Sequence, residues 1–271
     1  MRLDAYLAQY WPEFSRSTWQ KYVRAGHVSV DGVVVTSPSF TLGEDSEVTT
    51  NVPEKTDFSH QKLPILYEDK NVIVIDKPAG ILTHAKGALN DEFSVAEFMK
   101  GKTSYGADTN RPGIIHRLDR DTSGVILCVK NELAAKYLQK QFGNRTVKKT
   151  YYAVVDGIPK EQSALIDVPI GRDPKKPSQF RADPNGKTAQ TFYQVEKYGK
   201  KSALVRLEPK TGRTHQLRVH LAHMGTPIVG DKVYGRAEER MFLHAACLEV
   251  TLPGGERRSF RSDIPKEFLD L

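Results

Sequence analysis

The chain has 271 residues, 39% hydrophobic and 27% charged, so it can bury at least one full core, and wholesale disorder is excluded. Forty Lys and Arg against 33 Asp and Glu give a formal charge of +7, which favours a polyanionic partner over an acidic protein or a neutral lipid. No stretch approaches the ~18–20 apolar residues of a membrane span, and the opening MRLDAYLAQYWPEF lacks the basic and apolar regions of a secretory leader, so no membrane partner and a cytoplasmic location are expected.

In chain order, Leu3, Tyr6, Leu7 and Tyr10 recur at helical spacing. Ser15 stands as the N-cap of a second helix that carries Trp19, Tyr22 and Val23 and closes at Gly26. Asp31-Gly32 then joins HVSV to VVV as a hairpin turn. A break in composition over NVPEKTDFSHQK predicts a leader at 1–55, a linker at 56–62 and a second domain at 63–271. Residues 1–50 hold four basic and six acidic side chains, a formal −2, leaving +9 for the remainder. Electrostatic attraction is therefore expected mainly from the second domain, with the leader guiding orientation.

Beyond residue 63, β-rich runs predict strands at 72–76, 124–129, 151–156, 191–198, 203–208 and 248–252. Helices are expected near 94–100, at 132–143 with Leu133, Tyr137, Leu138 and Phe142 on one face, and at 215–224. The fold class is α+β, a mixed and mainly antiparallel sheet preceded by a small ααββ unit. Cys128 and Cys247 lie among apolar residues outside any CxxC and read as small buried hydrophobes.

Several chemical motifs fail. Gly101-Lys102-Thr103 and Gly186-Lys187-Thr188 have the tail of a phosphate loop, but its first glycine is replaced by Ala96 and Arg181. Asp119, Asp121, Ser123 and Gly124 open like a calcium loop, which then has Lys130 where a Glu ligand belongs. His215, His220 and His223 lack zinc spacing and nearby thiols. Neither a metal nor a cofactor is predicted.

Three segments remain. In RPGIIHRLDRDTSGVILCVK, Asp119 stands between Arg117 and Arg120; cations so placed would hold it ionised, as suits a nucleophile or base, although a salt-bridged turn would look the same. KKTYYAVVDG places aromatic hydroxyls at the start of a strand. KTGRTHQLRVHLAHMGTPIVGDKVYG packs Arg213, His215, Gln216, Arg218 and His220 into eight residues, a density of planar donors suited to phosphate and base recognition.

Together with MFLHAACLEV, these segments resemble, in order, the motifs of the RluA-type family of RNA pseudouridine synthases from about Leu63 to Pro253. SRSTWQKYVRAGHVSVDGVVV is similar to the αL RNA-binding domain of a small-subunit ribosomal protein and of tyrosyl-tRNA synthetases, departing from it at His27 and Asp31. The resemblance implies catalytic roles for Asp119, Tyr151 and Arg218. Tyr152 is the alternative tyrosine, and Arg213 the alternative partner of Asp119. Substrate binding is expected of His116, Arg117, Arg213, His215, Gln216 and Leu243, with Arg117 entering the RNA, Arg213 on phosphate and Leu243 beneath the base. The expected activity isomerises uridines by base flipping, Asp119-dependent cleavage of the glycosidic bond and joining of C5 to C1′. The implied partner is RNA, ribosomal in preference to transfer RNA, and the protein is expected to be a monomer. A non-catalytic RNA-binding protein and a nucleobase glycosylase or hydrolase are the competing classes.

Overall fold

The computed structural model describes residues 1–54, 56–85 and 91–271. Its contacts divide the chain into two units, Met1–His60 with Ala85–Glu92, and Gln61–His84 with Phe93–Leu271.

In the first unit, helix α1 (Leu3–Tyr10) and helix α2 (Arg16–Arg24) bury Leu3, Leu7, Trp19, Tyr22 and Val23 at the predicted helical spacing. Tyr10, at the last residue of α1, is exposed instead. The Ser15 side chain accepts from the Thr18 amide at 3.3 Å and so caps α2. Strands β1 (Val28–Val30) and β2 (Val33–Val34) are joined by Asp31 and Gly32, both at positive φ, which matches the twist of a two-residue hairpin. A third strand, β3 (Val48–Thr50), pairs antiparallel with the other side of β1 and was absent from the predicted ααββ order. Asp4, fully buried, receives hydrogen bonds from Arg2, Arg16 and Gln20, which hold its carboxyl well below the usual carboxylate range against the opposing cost of burial.

The second unit runs β4 (Ile65–Glu68), β5 (Val72–Lys77), α3 (Val95–Met99), β6 (Ser123–Val129), α4 (Glu132–Gly143) and β7 (Lys148–Asp156). It continues through β8 (Ser163–Asp167), β9 (Ile170–Arg172), β10 (Phe180–Ala182), β11 (Gln190–Tyr198) and β12 (Ser202–Pro209) to α5 (Gln216–His223), β13 (Leu243–Thr251) and β14 (Arg257–Arg261). Among the described residues nine of these strands form one sheet in the order β4-β5-β6-β13-β7-β12-β11-β8, with β14 on β13. Its neighbours are antiparallel except β6 and β13. Strands β9 and β10 form a separate hairpin.

Helix α4 packs Leu138 and Phe142 of the predicted face, together with Ala134 and Ala135, against Val74, Val125 and Leu127, while the other two residues of that face turn outward. Leu133 is 81% exposed and Tyr137 41% exposed. The two alanines let the helix lie close to the sheet, and contact with the sheet sets the helix phase. Leu217 and Leu221 of α5 pack on Ala153, Val155, Val205 and Leu207. Cys128 is fully buried in β6 and Cys247 partly buried in β13, and burial pushes both thiols up.

Gly124 is what lets β6 approach β13. It lies at φ +105°, and a Cβ there would fall 2.2 Å from the Ala245 carbonyl oxygen. Gly124→Ala is therefore expected to destabilise the protein by ~3 kcal/mol or more, read as a lower urea midpoint at unchanged m-value. Among the described residues no helix is long and apolar enough to cross a membrane.

Candidate active site

Asp119 lies in the loop that enters β6, and both of its sequence neighbours are clamped. The Thr83 hydroxyl donates to the Leu118 carbonyl at 2.7 Å and accepts from the Leu118 amide at 3.2 Å. The Lys77 ammonium, fully buried at the end of β5, donates to the carbonyls of Pro78, Ile81 and Arg120 at 2.8–2.9 Å. Burial pushes Lys77 down to about 7, opposed by the charges of Asp121 and Asp119. With its flanking residues fixed, the Asp119 carboxylate turns into a cavity, its side chain 18% exposed.

Two groups distant in sequence stand within ion-pair distance of Asp119. Arg218 Nη1 donates to Asp119 Oδ2 at 3.1 Å, and His215 Nε2 stands 3.8 Å from the same oxygen. Arg218 thus brings a cation to Asp119 from 99 residues further along the chain. Arg213, the alternative, instead donates through Nε to the Thr188 carbonyl at 3.0 Å.

Arg218 is itself held by a second carboxylate. Its Nε and Nη2 donate to the two oxygens of fully buried Asp231 at 2.7 and 2.8 Å, and Asp231 also accepts from the amides of Val233 and Tyr234. Burial disfavours both charges, yet each partner stabilises the other: Arg218 is held above its usual value and Asp231 below the usual carboxylate range. Tyr234 places its ring 5.1 Å from the guanidinium, and its hydroxyl meets His215 Nδ1 at 2.8 Å.

The surrounding cavity, of about 480 Å³, is lined by all nine predicted site residues. Its size falls within the ordinary range for small-ligand sites. Alternation along β7 turns Tyr151 into the cavity with Ala153 and Val155 behind it, while Tyr152 packs on the other face with Val154, Leu204 and Phe268. Burial, with a smaller effect from Asp119, pushes the Tyr151 phenol up. Leu243, at the start of β13, contributes a buried apolar surface. Arg117 is exposed, and among the described residues it forms no ion pair.

Two of these lining residues also bond within the protein. His116 Nε2 accepts from the Leu127 amide at 2.9 Å, its ring stacks on Phe142, and burial pushes it down to about 3, so it is neutral at pH 7. The Gln216 amide oxygen accepts from the Thr211 hydroxyl and the Arg213 amide, while its nitrogen donates to the Gln190 carbonyl and the Thr191 hydroxyl. With both its oxygen and its nitrogen engaged twice, Gln216 braces the loop at 211–213. His220 is likewise structural, bonded to Thr191 and to the Val168 carbonyl.

Sequence reasoning missed Lys77, Thr83, Asp231 and Tyr234. Only the folded chain shows which buried donors and acceptors these residues meet.

Residues 71–223 match the family described as RNA pseudouridylate synthase, and residues 1–48 match the S4 domain. An uncharacterized RNA pseudouridine synthase of Aquifex aeolicus is 40% identical over 86% of this chain and 77% of its own length. The ribosomal large subunit pseudouridine synthase D of Haemophilus ducreyi is 33% identical over all of this chain and 89% of its own. Among solved structures, human RNA pseudouridylate synthase domain containing 1 aligns with a TM-score of 0.63 and 26% identity, covering 74% of this chain and 83% of that one.

Proposed function

Since the chain belongs to the RluA-type family of RNA pseudouridine synthases and carries an S4 domain, we propose that it isomerises uridines in large-subunit ribosomal RNA at the Asp119 cavity. One observation carries the assignment of the site: a partly exposed carboxylate, clamped on both sides in sequence and bonded to a buried arginine, in a cavity that also holds Tyr151 and Leu243. The synthase named for the large ribosomal subunit, similar along the whole chain, supports the choice of RNA.

The uridine must leave its stack to reach this site, at a cost of a few kcal/mol. Stacking on Tyr151, packing on Leu243 and contacts from Arg117 and Arg213 to the RNA offset that cost. Asp119 then acts in one of two ways. As a nucleophile it forms an ester bond to C1′ while the N1–C1′ electron pair departs with the base; as a base it takes the C2′ proton and the same pair departs. In the first route C5 of the retained uracil attacks C1′ and expels the Asp119 carboxylate; in the second, Asp119 returns the proton to C2′ as C5 bonds to C1′; in both, the C5 proton then leaves and N1 takes up a proton. Arg218 aims Asp119 through its hydrogen bond, and exclusion of water from the cavity prevents hydrolysis. The −2 leader and the +9 remainder assign orientation of the RNA to the first unit and most of the electrostatic attraction to the second.

Unmodified transcripts of large-subunit ribosomal RNA and of tRNA, incubated with the protein and mapped by carbodiimide labelling, test this reading. Pseudouridine is expected in the ribosomal transcript; product confined to tRNA would reassign the target. Released uracil would mark a glycosylase, and bound but unchanged RNA a non-catalytic binder. Tyr151→Ala is expected to slow single-turnover conversion ~10–100-fold through lost stacking, whereas Tyr152→Phe stays within about twofold.

A further inference from the structure

Lys149 lies two residues before Tyr151 on β7 and lines the same cavity. Its neighbour Lys148 pairs with Glu249 at 3.5 Å, but among the described residues Lys149 has no carboxylate partner. Its ammonium has three donors and one long hydrogen bond, 3.5 Å to the Thr211 carbonyl oxygen. Burial pushes Lys149 below its usual value. A partly desolvated cation with unspent donors is costly, and its use must come from what enters the cavity.

Thr211 is held where that use can be identified. Gln216 fixes the Thr211 hydroxyl and the Arg213 amide, so the intervening main chain is rigid. Gly212 leaves space beside the ammonium: among the described residues, a Cβ at Gly212 would have only Lys149 Nζ, at 3.8 Å, within 4 Å. The cavity therefore presents a donor next to an acceptor. Uracil has the complementary edge, where O4 accepts and the adjacent N3–H donates. Cytosine reverses both, with an amino group at C4 and a bare N3.

Resting on the synthase reading above, we propose that Lys149 Nζ and the Thr211 carbonyl together read the O4 and N3–H edge of the flipped uracil and select it over cytosine. The same pair fits both ends of the reaction. A half-turn of the base about the axis through N3 and C6 puts C5 where N1 was and exchanges O4 with O2, while N3 stays in place. Donor and acceptor thus meet the same pattern in substrate and product. When the N1–C1′ bond breaks, its electron pair leaves with the base, and the negative charge spreads onto O2 and O4. The ammonium contact consequently strengthens as the bond breaks, which makes it a contribution to rate as well as to selection.

The test uses the full chain and large-subunit ribosomal RNA transcripts. With [5-³H]uridine transcripts, Lys149→Met is expected to slow single-turnover tritium release ~100-fold while filter binding of RNA stays within about threefold; Lys149→Arg recovers part of the rate. Transcripts carrying 4-thiouridine, whose sulfur is the poorer acceptor, are expected to be isomerised ~10-fold more slowly by the wild type and with no added penalty by Lys149→Met, by nucleoside chromatography. Equal thio penalties in both proteins, or a wild type indifferent to the sulfur, would overturn the proposal, and the second comparison holds even where the variant fails to fold. Lost RNA affinity with an unchanged rate at saturation would likewise overturn it, making Lys149 a phosphate contact. A wild type that converts no uridine defeats the synthase reading itself, and that control is read before any variant.

Discussion

Asp119→Asn is expected to lower single-turnover pseudouridine formation by ~10³-fold or more while RNA retention on filters stays within about threefold. The expectation rests on the composition of the cavity wall, where Asp119 is the one carboxylate among the described lining residues. An asparagine oxygen can still accept from Arg218 Nη1, so the loop and the guanidinium keep their places. What disappears is the negative oxygen, which both proposed routes require. Because Thr83 and Lys77 hold the backbone at Leu118 and Arg120, loss of activity would not be accompanied by loss of fold, and an unchanged thermal melt would separate the two. Conversion near the wild-type rate would remove Asp119 from the chemistry.

The second large effect falls on Asp231, which does not line the cavity. Arg218 is buried between two carboxylates, and Asp231 takes two of its three described side-chain hydrogen bonds. Asp231→Asn would set an amide nitrogen against a guanidinium donor and leave a buried cation half-compensated. A loss of about 2–4 kcal/mol is expected, seen as a fall of roughly 5–15 °C in Tm. Activity should fall with it even below the melting range, because Arg218 would no longer be aimed at Asp119. The pH dependence checks the electrostatic cause. The folded Asp231 sits below its unfolded value of about 3.9, so its contribution is present above that pH and is lost as pH falls through the folded value. Wild-type stability should decline below about pH 4, with a shallower decline in Asp231→Asn.

How far the sequence could be read depended on whether the information was local. The helices of the first unit were legible because Leu3, Leu7, Trp19 and Val23 repeat at the helical period and Ser15 caps the second helix. Strand β3 was not, since Val48-Thr49-Thr50 is short and half polar, and its pairing with β1 is a tertiary choice. The hairpin of β9 and β10 escaped for the same reason, with Ile-Gly-Arg and Phe-Arg-Ala offering no alternation to detect. In α4 the period was right and half of the predicted face packs on the sheet, Leu138 and Phe142, whereas Leu133 and Tyr137 were weighted above Ala134 and Ala135, which take their place. The site divides the same way. All nine predicted residues line one cavity, but motif order says nothing of hydrogen-bond saturation, which makes Gln216 a brace and fixes His116 through Leu127. Asp231, Lys77 and Thr83 carry no local mark, because each acts on a backbone or side chain reached only through the fold.

The place of β13 in the sheet governs when the protein becomes functional during its own synthesis. This strand is made after every other member of the sheet except β14, yet it lies at the middle, with β4, β5 and β6 on one side and β7, β12, β11 and β8 on the other. Asp119 belongs to the first group, Tyr151 to the second, and the described sheet joins the groups only through β13. A nascent chain that has emerged as far as α5 already contains Asp119, Tyr151 and Arg218, but not the strand that brings them together. Closure across so long a stretch of chain is a late and slow folding event. The sheet that unites the two groups is therefore assembled only after β13 has been made, although Asp119, Tyr151 and Arg218 all precede that strand.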